Sequence, residues 1–219
     1  MAHEQQKRPL RHGVSLTPRE GRWTGPFVVL VTLLLLVLGC STEHRELAVP
    51  DVRQATDYTC GASALQAVLA YYGIETREDL LARELGADPN KGVNPPAIIR
   101  VARARGLTAE LRQGMTVGEI AAIVHAGSPV LVALQAWSDK PRSTYRDDWD
   151  DGHYAIIIAV EPDAVVFEDP SVLGSRAVLS RGEFEDRWHD TDGTHRYVRM
   201  GIIFSGKNPV SRPPRVPME

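Results

Sequence analysis

The sequence predicts an α+β domain in which the helices come before the strands. Between residues 60 and 125, apolar residues recur at the spacing of amphipathic helices, and capping residues mark several of the helix ends. From residue 129 onward the pattern changes to short apolar runs bounded by turn residues, which is typical of strands. This order indicates an N-terminal helical part packed on a C-terminal antiparallel sheet.

The helices are predicted from periodicity and from their terminal residues. Asn94 followed by Pro95 is a cap and first-turn pair, and Thr116 with Glu119 has the spacing of a capping box. The segment that begins at Cys60 ends at Gly73, a residue that favours helix termination. The expected helices span residues 60–72, 76–84, 94–104 and 116–125, and a short strand is expected at 108–111.

The strands are predicted from apolar runs. Residues 153–160 contain three consecutive isoleucines and should form a buried central strand. The turn at Pro162-Asp163 should return the chain antiparallel to it. The expected strands span residues 129–134, 153–160, 165–168, 176–179 and 197–204, and a short helix capped by Ser180 is expected at 180–188.

Composition narrows the class of protein. The chain has 219 residues, 43% of them hydrophobic, and a formal net charge of −3. The domain carries no basic run, so we expect no nucleic-acid partner. No phosphate-binding G-x-x-x-x-G-K-[ST] motif is present, and we expect no cofactor and no metal. Prolines are frequent in residues 206–219, which predicts a disordered tail.

The N-terminal region has the pattern of an export signal. A basic segment precedes an apolar run from Phe27 to Leu38, and Gly39-Cys40 follows. The run is shorter than the roughly 20 residues of a membrane span. Val37 to Cys40 resembles the lipobox of bacterial lipoproteins, which predicts lipidation of Cys40 and attachment to a membrane of the cell envelope. A single uncleaved N-terminal anchor is the alternative. The expected divisions are signal 1–39, tether 40–47, domain 48–205 and tail 206–219.

Cys60 is a candidate nucleophile. It stands where a loop meets a predicted helix, and the N–H groups and dipole of a helix N-terminus favour a thiolate. An exported protein lies in an oxidising compartment, where a lone thiol is a liability unless it is used. Most free cysteines, however, are small buried hydrophobic residues, and that interpretation stays open.

His153 and Asp169 are candidate partners of the thiol. His153 begins the most apolar strand, where rigid backbone would hold a base at the edge of solvent. Asp169 follows the strand that returns beside it, at a separation that would bring its carboxylate to the imidazole. Ordinary structural roles, a core histidine and a strand-ending Asp-Pro turn, are the alternatives.

Two segments together carry a family resemblance. The first holds Gln54, Cys60 and Gly61; the second holds His153-Tyr154, the apolar strand 156–160, and Asp169-Pro170. Both resemble the active-site motifs of the bacteriocin-processing cysteine peptidases, papain-like domains that cut double-glycine leader peptides. The similarity covers about residues 48–205. It implies a papain-like cysteine peptidase fold, here in a stand-alone lipoprotein form.

The resemblance implies a cysteine peptidase acting on a peptide or protein substrate, and the N-terminal signal pattern predicts that it is exported. By it Cys60 is the nucleophile, His153 the general base and acid, Asp169 the residue that orients His153, and Gln54 an oxyanion donor. Thr59 stands where the family often has Asp. Two alternatives share the same residues: a non-catalytic peptide-binding lipoprotein, and a cysteine amidase or transpeptidase. Because no ATPase motif is present, we do not expect this chain to share the family's coupling of leader-peptide cleavage to peptide export.

An acidic loop precedes His153. Asp147, Asp148, Asp150 and Asp151 surround Trp149 there. A solvated loop is the ordinary interpretation; a calcium site is the second, because clustered carboxylates suit a hard cation. A third is a substrate-cleft wall that favours basic peptides, with Trp149 and Trp137 in apolar contact with the substrate. The expected cleft residues are Gly61, Trp149 and Gly152.

Overall fold

A computed structural model describes residues 46–207 and residue 209. In this part of the chain the helices are α1 Cys60–Tyr71, α2 Glu78–Leu85, α3 Pro95–Ala104, α4 Val117–His125 and α5 Arg181–Arg187, with a 3₁₀ turn at Arg142–Thr144. The strands are β1 Thr108–Arg112, β2 Val130–Gln135, β3 Gly152–Val160, β4 Ala164–Glu168, β5 Ala177–Ser180, β6 His189–Thr191, β7 Arg196–Val198 and β8 Gly201–Ser205. The α+β fold predicted from the sequence is confirmed.

A six-stranded antiparallel sheet forms the centre of the domain, in the order β1-β8-β2-β3-β4-β5. The strand with the three isoleucines, β3, lies between β2 and β4 and is buried from His153 to Val160. Opposite His153 in β2 is Leu134. The β3–β4 hairpin pairs Ile156 with Glu168, so the chain that leaves β4 at residue 169 emerges beside the start of β3.

The helices cover the sheet. Helices α1 and α4 pack against β3, α3 packs against β1, and α5 packs against β2, β4 and β5. The caps predicted for α3 and α4 are present: the Asn94 side chain accepts from Ala97 N at 2.9 Å, and Thr116 and Glu119 form a complete capping box. Because these ends are fixed locally, α3 and α4 begin where the sequence indicated.

Two local predictions were wrong. Helix α2 begins at Glu78 after Arg77, not at Thr76, and has no side-chain cap. The last predicted strand, 197–204, is two strands, because Arg199 takes a left-handed conformation with φ 49° and interrupts the pairing. His189 is buried beside the sheet, and its Nε2 lies 2.7 Å from the carbonyl oxygen of Asp148.

Residues 46–54, here called the N-terminal segment, are bound to the second half of the chain. Leu47 N donates to the Ile158 carbonyl at 2.9 Å, and Gln54 N donates to the Pro170 carbonyl at 3.0 Å. Between them, Val52 N donates to the Glu168 carboxylate at 2.8 Å. The segment therefore leads the chain from the sheet into α1 along a defined path.

The buried carboxylate of Glu168 allows a stability prediction. It accepts from Val52 N and pairs with Arg176, whereas the half-exposed Glu46 pairs with the same arginine from outside at 3.0 Å. Glu168→Ala should lower the free energy of unfolding by about 2 kcal/mol, because it leaves the partly buried N–H of Val52 and the guanidinium of Arg176 without their shared partner. The matched variant Glu46→Ala should cost less than about 0.5 kcal/mol. Denaturant titrations measure both; equal losses would contradict the prediction.

The predictions for the export signal, for Cys40, for most of the tether and for all but the start of the tail fall outside the described residues. Among the residues that are described, no helix is both long enough and apolar enough to span a bilayer.

Candidate active site

Cys60 is the first residue of α1, and its side chain is buried, with 7% of the residue exposed. A helix of the usual kind leaves its first N–H groups without intrahelical partners, so the N–H of Cys60 is a free donor beside its own sulfur. Gly61 allows the helix to begin close to the sheet. A Cβ at this position would lie 3.1 Å from the Tyr154 ring and 3.2 Å from Val93 Cβ. The missing side chain thus brings the thiol up to β3.

The His153 imidazole contacts the Cys60 thiol on one side and the Asp169 carboxylate on the other. Its Nε2 lies 2.8 Å from Asp169 Oδ1, which leaves Nδ1 for Cys60. Burial alone would lower the pKa of His153, but hydrogen bonds with Asp169 and Cys60 outweigh it and raise the pKa to about 10. The site therefore favours the protonated imidazole, the form that stabilises a neighbouring thiolate.

Asp169 is held at both carboxylate oxygens. Oδ1 accepts from His153 and from Ser171 N, the latter at 2.8 Å, and Oδ2 accepts from the indole Nε1 of Trp137 at 3.1 Å. Burial would raise the pKa of Asp169, but its bond to His153 and these other donors hold the pKa below its ordinary value. The carboxylate stays ionised and fixes the orientation of the imidazole.

Trp137 was expected to contact the substrate, but it contacts Asp169 instead. It does not line the cleft that contains Cys60 but covers the far side of Asp169. Its backbone has φ 61°, an uncommon conformation for a bulky residue, although its side chain is largely exposed. Strain of this kind persists where surrounding contacts over-determine the position, and the bond to Asp169 is such a contact.

Gln54 lies beside this cluster without facing the cleft. Its Nε2 donates to the Thr56 carbonyl at 2.8 Å, and its Oε1 accepts from Ser171 Oγ at 3.3 Å. The amide nitrogen carries a second hydrogen that this bond to Thr56 does not use. The structure therefore places Gln54 close in the chain to Cys60 and anchors it to the loop after Asp169.

A cleft of about 390 Å³ opens beside Cys60. Trp149 and Gly152, both expected in a substrate cleft, line it, whereas Gly61 lies behind it under Tyr154. The acidic loop contributes less than expected, since Lys140 Nζ lies 2.5 Å from Asp148 and 2.8 Å from Asp151. Lys140 thus neutralises part of the loop. No group of three or more ligating side chains suited to a metal occurs among the residues described.

Sequence reasoning missed several residues of this site. The bond from Trp137 to Asp169 gave no local signal, and neither did the place of Asp190 in the cleft wall. The one available hint was the Asp-Pro-Ser sequence at residues 169–171, because a short loop after an aspartate often returns a backbone N–H to its carboxylate.

A thiol at a helix N-terminus, set against a histidine and an aspartate on a sheet, is the arrangement of papain-like cysteine peptidases. A family model described as "Peptidase_C39 like family" matches residues 46–195, more than half of the chain. The chain therefore belongs to the C39-like peptidase family and is a cysteine peptidase. No curated protein matches it at a significant level.

Solved structures of low sequence identity share the fold. A putative C39-like peptidase from Bacillus anthracis is 19% identical, with TM-score 0.57, over 74% of this chain and 98% of that one. A double-glycine-motif protease from an AMS/PCAT transporter, solved in complex with the leader peptide, is 18% identical, with TM-score 0.53, over 74% and 94%. The peptidase domain of Streptococcus ComA is 16% identical, with TM-score 0.50, over 71% and 97%.

Proposed function

We propose that this protein hydrolyses peptide bonds with Cys60 as nucleophile, His153 as general acid and base, and Asp169 as the residue that orients His153. The observation that carries the proposal is the continuous hydrogen-bonded series from Cys60 through His153 to Asp169, at the edge of the cleft. Membership in a peptidase family supports the same assignment.

The chemistry follows from these positions. The Cys60 thiolate adds to the carbonyl carbon of the substrate peptide, and the backbone N–H of Cys60 stabilises the oxyanion. Gln54 adds a second donor only if its side chain leaves the Thr56 carbonyl and turns toward the cleft when substrate binds. Protonated His153 gives its proton to the departing amine as the C–N bond breaks. Neutral His153 then takes a proton from water, whose hydroxide releases the acyl group and restores the thiolate.

The substrate in this proposal is a peptide that lies along the cleft. A structural neighbour was solved with a leader peptide bound, which supports an extended peptide as occupant. The test is hydrolysis of a peptide library by the purified full chain, read by mass spectrometry. Appearance of paired cleavage products in the native protein, and their loss in the active-site variants described in the Discussion, is the expected result.

We further propose that the enzyme is exported and held on a membrane of the cell envelope by lipid on Cys40, in the stand-alone form suggested by its sequence. Support comes from the basic segment, the apolar run and the Val37 to Cys40 motif. Cys40→Ser should abolish incorporation of labelled palmitate in a bacterial host and release the protein from the membrane fraction. The matched variant Cys60→Ser should label normally; label retained in Cys40→Ser would exclude this anchor.

A further inference from the structure

The carboxylate of Asp190 lies in the wall of the cleft that contains Cys60. Its Oδ1 accepts from Thr191 N at 2.7 Å and from Gln135 Nε2 at 3.3 Å. Its Oδ2 accepts no hydrogen bond from any residue that the structure describes. One oxygen is thus anchored to the protein and the other is available to a molecule in the cleft.

Asp190 differs in its direct contacts from Glu168 and Asp169, two other shielded carboxylates beside the sheet. Glu168 pairs with Arg176 and Asp169 pairs with His153, whereas no lysine, arginine or histidine in the described part of the chain forms an ion pair with Asp190. Burial raises its pKa to about 6, against the hydrogen bonds from Thr191 and Gln135 and the nearby positive charge of His153, which lower it. A shielded carboxylate without a direct ion-pair partner costs free energy that a bound cation would recover.

Gly152 makes room for this carboxylate directly before His153. A Cβ at residue 152 would lie 2.3 Å from Asp190 Oδ1 and 2.7 Å from Oδ2, closer than any side chain tolerates. The glycine that opens β3 therefore brings the Asp190 carboxylate against the strand that carries the catalytic histidine. This places the unpaired charge within the same cleft as the reacting thiol.

We propose that Asp190 is a specificity-determining residue that binds the cationic side chain of a lysine or arginine in the peptide substrate. The proposal rests on the function proposed above and names its substrate class. The rest of the cleft suits such a side chain. Asp57, Asp150 and Asp192 outnumber the one lysine of its lining, Lys91. Aromatic rings of Tyr154, Tyr197 and Trp149 offer apolar surface to the methylene stem.

The test compares two acetylated, amidated ten-residue peptides of alanine and serine that differ at one central position, lysine against norleucine. Their binding is measured by calorimetry on the full chain carrying Cys60→Ala, which cannot turn them over. The lysine peptide should bind about tenfold or more tightly than the norleucine peptide. Asp190→Asn should remove that difference and leave norleucine binding unchanged.

Controls keep the outcomes separate. Asp163→Asn makes the same charge change in the exposed turn between β3 and β4 and should preserve the preference. Asp190→Ser serves as a second variant, and thermal melting checks the fold of each. Equal binding of the two peptides to the Cys60→Ala chain, or equal weakening of both by Asp190→Asn, would overturn the proposal. Selective binding without any cleavage by the native protein would instead refute the proposed hydrolysis and leave the charge preference standing.

Discussion

Replacement of Cys60 by alanine should reduce peptide hydrolysis by at least about 10⁴-fold. The variant lacks the atom that forms the acyl intermediate, and the remaining groups can only bind and polarise the substrate. Cys60→Ser should recover little activity, because a hydroxyl beside His153 is a far weaker nucleophile than a thiolate. The measurement is kcat/KM on a peptide taken from the library screen.

The fold should survive this change, since Cys60 is a small side chain at the edge of the core. Melting temperatures of the Cys60→Ala and native proteins should agree within a few degrees, and the variant should still bind the peptide. Cleavage by Cys60→Ala at the native rate and at the same bond would assign the reaction to another residue.

Removal of His153 should slow both catalysis and the reaction of Cys60 with a peptide-like electrophile. Loss of a general acid and base typically costs 10²–10⁴-fold, and we expect His153→Ala to fall in about that range for kcat/KM. Labelling of Cys60 at neutral pH should slow about tenfold or more, because the positive charge that stabilises the thiolate is gone. Intact-protein mass spectrometry follows the labelling.

The role of His153 also predicts how activity depends on pH. His153 holds its proton up to its pKa of about 10, so the native enzyme should keep its acid below that pH and lose activity above it. The alkaline fall should vanish in His153→Ala. His153→Gln preserves a donor to Asp169 if the alanine variant is unstable, and His195→Ala changes an exposed histidine as the matched control. Labelling that is equally fast with and without His153 would contradict the assigned role.

The proximity of Cys60, His153 and Asp169 could be predicted because each lies at a locally determined place. The cysteine opens a helix whose end is set by Gly73, and the histidine opens a strand recognisable from three isoleucines. Hairpin geometry then relates Asp169 to His153 without knowledge of the rest of the fold. Antiparallel pairing has few possible registers once the turn is known. The contact between the His153 imidazole and the Asp169 carboxylate could therefore be predicted from the sequence.

Other features depend on packing between distant segments. The position of Asp190 depends on Gln135 and on the space at Gly152, in strands that are far apart in sequence. The contact of Trp137 with Asp169 follows from the path of the chain after β2, and the break at Arg199 separates β7, which pairs with β6, from β8 in the large sheet. The hydrophobic periodicity of the sequence cannot predict such contacts, because each forms between two elements that are brought together only by the tertiary fold.

The N-terminal segment has a consequence for when the enzyme can become active. Val49 is bound by Arg176, which follows it by 127 positions. The chain must therefore be present as far as Arg176 before the stretch that leads to Cys60 can settle, and contacts of such long range slow folding. Cys60 also lies far ahead of His153 and Asp169 in the sequence, so the three side chains meet only after the hairpin of β3 and β4 has formed.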